Sequence, residues 1–233
     1  MQITGRKKDI VDLLYERERI SVRELAERLF VSDMTVRRDL QELEKQGLVR
    51  RYRGGAVLGT VGGEMPITRR FFVDEEEKKA LGKQAARFLS DGMAVYIDSS
   101  STCQYVIPHL AHYKGITVIT NSVSALLAAE KVGADCILLG GRYFARDMCF
   151  VGPLTEQDAT RFHYDIAFFT VLGFSEEAGI TDPDGEQTAV RRAVLGRAER
   201  KIFLFERSKV GKTYLHHLCE SREADEILLL RGE

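Results

Sequence analysis

The stretch "VSDMTVRRDLQELEKQG" (Val31–Gly47) sets two adjacent arginines inside a helical pattern that also holds four acidic residues, so bulk positive charge does not explain them. At about 100° per residue, Val36, Leu40 and Leu43 fall within roughly 60° of one another and form a core-facing stripe. Met34, Arg38, Gln41 and Lys45 then point away from that stripe, with Thr35 and Arg37 flanking them. Ser32 is a natural N-cap, Asp33 complements the helix dipole, and Gly47 is expected to close the helix at C′.

Upstream, Ile10, Leu13 and Leu14 recur at helical spacing and predict a helix from about Arg6 to Arg17. Ser21 and Glu24 have the spacing of a capping box and open a short second helix carrying Val22, Leu25, Ala26 and Leu29, ending near Leu29 or Phe30. Two helices joined by about three residues, the second presenting Ser, Thr and Arg in its N-terminal half, describe a helix-turn-helix. Downstream, "LVRRYRGGAV" (Leu48–Val57) alternates, carries three arginines and turns at Gly54-Gly55, which reads as a β-hairpin wing.

This arrangement suits a DNA duplex. A helix fits the major groove, where arginine makes paired bonds to a guanine edge. Hydroxyls and helix N-terminal amides hold phosphates, and wing arginines grip the backbone beside the groove. The candidate DNA-contacting residues are therefore Ser32, Met34, Thr35, Arg37, Arg38, Arg50, Arg51 and Arg53. The competing reading is a protein-interaction module with solvated arginines, in which Arg38 and Glu42 form an ordinary i,i+4 pair. Asp39 lies close to the core-facing side and is expected to be structural, orienting an arginine.

The motif also resembles the N-terminal winged helix of DeoR-type transcriptional regulators. That family's pattern is a Leu-Ala helix, Ser-x-x-Thr-[Val/Ile]-Arg-Arg-Asp-Leu, Leu-x-x-x-Gly and a closing Arg-x-x-Gly-Gly-Ala. Here it falls on Leu25-Ala26, Ser32, Thr35 to Leu40, Leu43, Gly47, Arg51 (or Arg53) and Gly54 to Ala56.

The whole chain has 233 residues, of which 44% are hydrophobic and 30% charged, the composition of a globular protein. Its net charge of -1 hides an asymmetry: residues 1–57 hold 13 Lys and Arg against 10 Asp and Glu, or +3, and the remainder carries -4. A basic end permits a polyanionic partner without demanding one. Cys103, Cys136, Cys149 and Cys219 form no CxxC pair and no zinc-finger spacing, so reduced thiols, a cytoplasmic setting and no metal are expected. No apolar run reaches about 18 residues and the N-terminus lacks a signal-like core, so no membrane partner is expected.

"GTVGGEMP" (Gly59–Pro66) reads as a flexible break, giving a DNA-binding domain at 1–58, a linker at 59–74 and a larger domain at 75–233. In the larger part, apolar strand signals at 93–98, 116–120, 135–140, 166–172, 201–206 and 226–231 alternate with helical segments. The helices are expected at about Thr102–His112, Val123–Lys131, Thr155–Thr160 and Ala189–Arg200. Near-continuous apolar strands separated by helices predict a parallel-rich α/β sheet, whose ligands sit beyond the strands' carboxyl ends.

Those ends carry polar residues. The first strand runs into Asp98, Ser99, Ser100, Ser101 and Thr102; the second into Thr120, Asn121 and Ser122; the third into Gly140, Gly141 and Arg142; and the fifth leads to Lys209. Each segment alone reads as a helix cap. Together on one edge they predict a small-anion site built from hydroxyls, helix N-terminal amides and cations.

This part too is similar to the DeoR family, whose C-terminal domain carries Asp-x-Gly-Thr-Thr, Thr-Asn-Ser, Gly-Gly and a late Asp-x-Ser-Lys-x-Gly. The chain departs from that pattern at Ser100 in place of glycine, at Ser101 where threonine is common, and at Glu206 in place of the usual Asp. The resemblance implies a fold related to ribose-phosphate isomerase, used to sense a phosphorylated sugar. A double-stranded operator is the expected partner, and because such readers use paired half-sites a homo-oligomer is expected; no cofactor is expected, and no catalysis, since no spacing assigns an acid and a base. The alternative is a sugar-phosphate isomerase-like enzyme, for which Asp98, Glu186, Glu206 and Lys209 are the available acids and bases. Smaller alternatives are metal binding by His109, His112, His216 and His217, a reactive Cys103 beside the cradle, and Tyr143, Phe144 and Phe150 closing over a ligand.

Overall fold

A computed structural model of the chain describes residues 5–17, 19–45, 48–58 and 65–230. Gly47, the expected helix terminator, and residues 59–64 of the expected linker lie outside the described residues. The chain divides into two compact units, 1–75 and 76–233.

The first unit contains α1 (Arg6–Arg17), β1 (Arg19–Ser21), α2 (Val22–Leu29), α3 (Asp33–Lys45), β2 (Val49–Tyr52), β3 (Gly55–Leu58) and the short α4 (Ile67–Arg70). Ile10, Leu14, Leu25, Val36, Leu40 and Leu43 are all buried in one core, so the stripe that defines α3 faces inward. The wing has one more strand than the sequence suggests: β1 pairs with β3, and the sheet order is β1-β3-β2. Gly55 makes that pairing possible, because a Cβ there would stand 2.4 Å from the Ile20 carbonyl oxygen. Only half of the expected capping box forms. The Glu24 amide donates to Ser21 Oγ (3.1 Å), whereas the Glu24 carboxylate turns to Arg17 and Arg28.

The second unit opens with α5 (Glu75–Ala85), whose first residue ends the first unit, and β4 (Ala94–Ile97). A run of 3-10 turns (Cys103–His112) follows, then β5 (Thr117–Thr120), α6 (Val123–Lys131), β6 (Asp135–Leu138), β7 (Arg142–Phe144) and β8 (Cys149–Val151). The chain continues through α7 (Pro153–Ala159), β9 (Tyr164–Phe169), β10 (Gly173–Ser175), β11 (Gly179–Asp182), α8 (Gly185–Leu195), β12 (Ala198–Phe205), β13 (His216–Cys219) and β14 (Glu226–Leu229). The main sheet runs β14-β12-β9-β4-β5-β6, with every pairing parallel. Alternate residues feed two cores: Ile166, Phe168, Ile202 and Leu204 go to one face, and Ala167, Phe169, Phe203 and Phe205 to the other. The unit is α/β, as the alternation of apolar strands predicts.

Several elements differ from the sequence expectation. The segment after Thr102 winds as 3-10 rather than α, and Pro108 within it cannot supply the amide an α-helix needs. The helix expected at Ala189–Arg200 starts earlier, at Gly185, because Asp184 caps it by accepting from the Gln187 amide. It ends at Leu195, and 198–200 already belong to a strand. Two antiparallel pieces, the β7–β8 hairpin and the sheet β10-β11-β13, are built from strands of 3 or 4 residues, too short to stand out in the sequence.

Phe30, the residue after α2, adopts a left-handed backbone (φ 53°, ψ 43°) and is 95% exposed. Neither its conformation nor its ring is compensated by packing. Phe30→Asn is therefore expected to stabilise the first unit by about 0.5–1 kcal/mol, since Asn tolerates this conformation. A lower midpoint in urea for the variant would contradict this.

Candidate functional site

In the first unit, α3 presents an exposed N-terminal half. Ser32 Oγ accepts from the Thr35 amide (3.2 Å) and lies 2.9 Å from Thr35 Oγ1, so the two hydroxyls cap the helix and engage each other. Met34, Arg37 and Arg38 are exposed around them. Arg38 Nε lies 3.6 Å from Glu42, a loose i,i+4 pair, and Arg37 makes no ion pair among the described residues. Asp39 is buried and accepts from Arg6 of α1 (2.5 Å), so the arginine it orients belongs to another helix. Arg51 is held on α3: its amide and Nε both donate to Glu44 (2.9 and 2.6 Å). Arg50 and Arg53 remain exposed on the wing.

In the second unit, the chain order of the parallel sheet reverses between β4 and β9, the place where open α/β sheets leave a crevice beyond their carboxyl ends. The Asp98–Thr102 turn leaves β4 there and is buried throughout. Lys209 arrives from the turn after β12, donating to Thr170 Oγ1 (3.0 Å) and standing 3.5 Å from Thr102 Oγ1. Glu206 joins the group. One of its oxygens accepts from Thr102 (2.6 Å), the other sits 2.7 Å from Lys209 Nζ, and Lys78 of α5 lies 3.5 Å away. Burial opposes ionisation of Glu206, but Lys209 and Lys78 outweigh it and draw its pKa down to about 2.

On the other side of the turn lies a second buried network. Arg191 of α8 donates to Asp98 (3.0 Å) and to Gln187 (3.1 Å) and pairs with Asp182 (3.2 Å). Gln187 in turn accepts from Ser99 (3.2 Å) and donates to Asp147 (2.5 Å), which with Asp184 holds Arg146. The site is therefore polarised, with lysines beside Thr102 and carboxylates beside Ser99.

The remaining expected residues are placed less directly. Thr120 Oγ1 donates to the Ile97 carbonyl (2.7 Å), Asn121 bridges Tyr96 and Phe150, and Ser122 caps α6 through the Ala125 amide (3.2 Å). These three hold the sheet, hairpin and helix together. At Gly141 (φ 148°) a Cβ would stand 2.0 Å from Thr155 Oγ1, so the bare backbone there admits Thr155 of α7. Gly140 likewise serves α7, its carbonyl accepting from Thr155 (2.7 Å). Arg142 is exposed and bonded to Glu186. Burial pushes the Cys103 thiol up, against a reactive thiolate, and no metal-ligating cluster occurs among the described residues. Tyr143 and Phe150 pack on each other, with ring centroids 5.7 Å apart.

The family model for a DeoR-like helix-turn-helix domain matches residues 6–60, and that for the DeoR C terminal sensor domain matches residues 73–229. The chain belongs to the DeoR family of transcriptional regulators. It is 35% identical to the HTH-type transcriptional repressor GlcR of Bacillus subtilis over 93% of this chain and 84% of that protein. It is 27% identical to the glycerol-3-phosphate regulon repressor of Escherichia coli, over 91% and 84%. Among solved structures, ribose 5-phosphate isomerase A from Methanocaldococcus jannaschii matches 59% of this chain and 55% of its own with a TM-score of 0.44 and 19% identity.

Several polar residues of this DeoR-family sensor unit were not singled out in the sequence: Lys78, Asp147, Thr170, Asp182, Gln187 and Arg191. Two carried a readable signal. Lys78 falls on the buried stripe of α5 with Leu81, Gly82 and Ala85, and Arg191 on that of α8 with Gln187, Val190 and Val194. A charge on a core stripe demands a buried partner. The others come from loops and strand ends, whose partners only the fold supplies.

Glu206→Gln removes the buried carboxylate that both Lys78 and Lys209 approach and is expected to cost the sensor unit about 3 kcal/mol at pH 7. In the wild type, the stabilisation from this depressed pKa is present above the usual glutamate value of 4.5 and is lost as pH falls toward about 2. Urea unfolding at pH 7 and pH 3 tests both: the variant should show a smaller stability loss on acidification than the wild type.

Proposed function

We propose that this transcriptional regulator represses a carbohydrate-use operon and releases it when a phosphorylated sugar occupies the crevice beyond β4. The observation that carries the reading is Lys209 Nζ held within reach of Thr102 and Thr170 at the sheet's reversal point, beside the Ser99–Thr102 turn. A phosphate would meet cations and hydroxyls at that end, drawing Lys209 from Glu206. The sugar hydroxyls would face Gln187 and Asp147, acceptors suited to them. The expected effector contacts are Asp98, Ser99, Ser100, Ser101, Thr102 and Lys209, with Thr120, Asn121, Ser122, Gly140, Gly141 and Arg142 shaping the surround.

On the DNA side, Ser32, Met34, Thr35, Arg37 and Arg38 would enter the major groove, with Arg50, Arg51 and Arg53 along the backbone. The Glu42 partner of Arg38 leaves Arg37 the less committed of the two adjacent arginines. Readers of this class act on paired half-sites, so the protein would work as a homo-oligomer, in the cytoplasm where operator and metabolite meet. Release follows from linkage: the effector lowers occupancy only by binding the DNA-free form more tightly than the bound form.

Fluorescence anisotropy on DNA from upstream of the protein's own gene cluster, with and without a panel of sugar phosphates, tests the reading. Salt-sensitive specific binding, relieved by one compound, is expected. Arg37→Ala and Arg38→Ala should each weaken it by about 1–3 kcal/mol; unchanged affinity in both would remove the recognition-helix assignment. Ser100→Glu and Lys209→Met should bind DNA normally yet ignore the effector. A normal response in both would remove the crevice as its site.

A further inference from the structure

The face of α3 that carries Arg37 and Arg38 also carries an apolar side chain that the fold does not use. Met34 is 75% exposed in the first turn of the helix, between the capping residue Ser32 and the arginines, and contributes to no described core. Its backbone position is firm, since the Ser32 Oγ cap and the Val36 amide bonded to the Ser32 carbonyl (3.1 Å) hold that turn on both sides of it. The side chain has no donor and only a weak thioether acceptor, so it cannot read the hydrogen-bonding edge of a base. Along the major groove the one apolar group on any base edge is the C5-methyl of thymine.

From this geometry we infer that Met34 is a specificity-determining residue that reads a thymine methyl group in each half-site. The inference rests on α3 being the recognition helix, and it adds a chemical preference that the arginines cannot supply. Ser32 and Thr35, the flanking hydroxyls, are already engaged with each other, and Ser32 Oγ also accepts from the Thr35 amide. Discrimination between thymine and the other bases at this turn therefore falls to contact with the methyl group.

The test uses the full chain and a duplex selected by it from a random pool, so no operator need be known beforehand. Each thymine is replaced in turn by deoxyuridine, which keeps the pairing and removes only the methyl. Wild-type protein should lose affinity roughly 3–5-fold at one position per half-site, the worth of one buried methyl group, and stay unchanged elsewhere. Met34→Ala should bind the thymine duplex more weakly and show no further loss with deoxyuridine at that position, whereas Met34→Leu should keep the sensitivity. Its exposure makes either variant as stable to urea as the wild type. A flat uracil series in the wild type, or the same penalty persisting in Met34→Ala, overturns the methyl contact. Arg37→Ala and Arg38→Ala on the same duplex separate the two layers. Strong losses there with a flat uracil series overturn only the methyl contact, and no loss in either arginine variant overturns the recognition helix and the contact with it.

Discussion

A guanidinium buried in a protein must have its charge and its donors compensated, and the sensor unit is organised around that demand. Arg191 has Asp98 and Asp182 within 3.2 Å, and both acids are as buried as it is. Removing one partner would leave a charge in an apolar interior, at a cost larger than most single contacts contribute. The three residues come from α8, the end of β4 and β11, so this requirement brings together the main sheet, the small antiparallel sheet and the helix above them. Gln187, one turn away on α8, extends the hold to Ser99 and to Asp147 of the β7–β8 hairpin.

Glu206 does for the opposite side what Arg191 does for this one. It collects Lys78 from α5, Lys209 from its own turn and Thr102 from the turn after β4. The Asp98–Thr102 turn is therefore suspended between an acid that gathers cations and a cation that gathers acids. In the proposed mechanism this turn reports the ligand. A phosphate arriving at Lys209 would compete with Glu206, and any shift of the turn would be felt by Arg191 and α8. Both networks are engaged, which makes the site a balance of pairings and not an open hole.

The four acidic residues of the opening stretch have their explanation in the first unit. Asp39 holds Arg6 and Glu42 holds Lys7, tying α1 to α3; Glu44 holds Arg51 of the wing; and Asp33 stands at the helix start, where negative charge is favoured. The acids thus fasten α3 to its neighbours while Arg37 and Met34 stay outward. Arg38 is shared, leaning on Glu42 at 3.6 Å.

Periodicity alone determined much of this protein. The α3 stripe of Val36, Leu40 and Leu43, the six apolar strands of the main sheet, the polar turns after β4 and β5 and the family motif could be read in the sequence, because each is local and repeats with the geometry of a helix or strand. Tertiary structure decided the rest. It divided the polar turns between Thr102, which joins Lys209 and Glu206, and Thr120 to Ser122, which brace the sheet. It gave Gly141 to Thr155, Arg51 to Glu44 and Arg191 to two acids. The physical reason is sequence distance: Asp98 and Arg191 are 93 residues apart and Thr102 and Glu206 104. A charge on a core stripe reveals that it needs a partner, and only the folded chain shows which one.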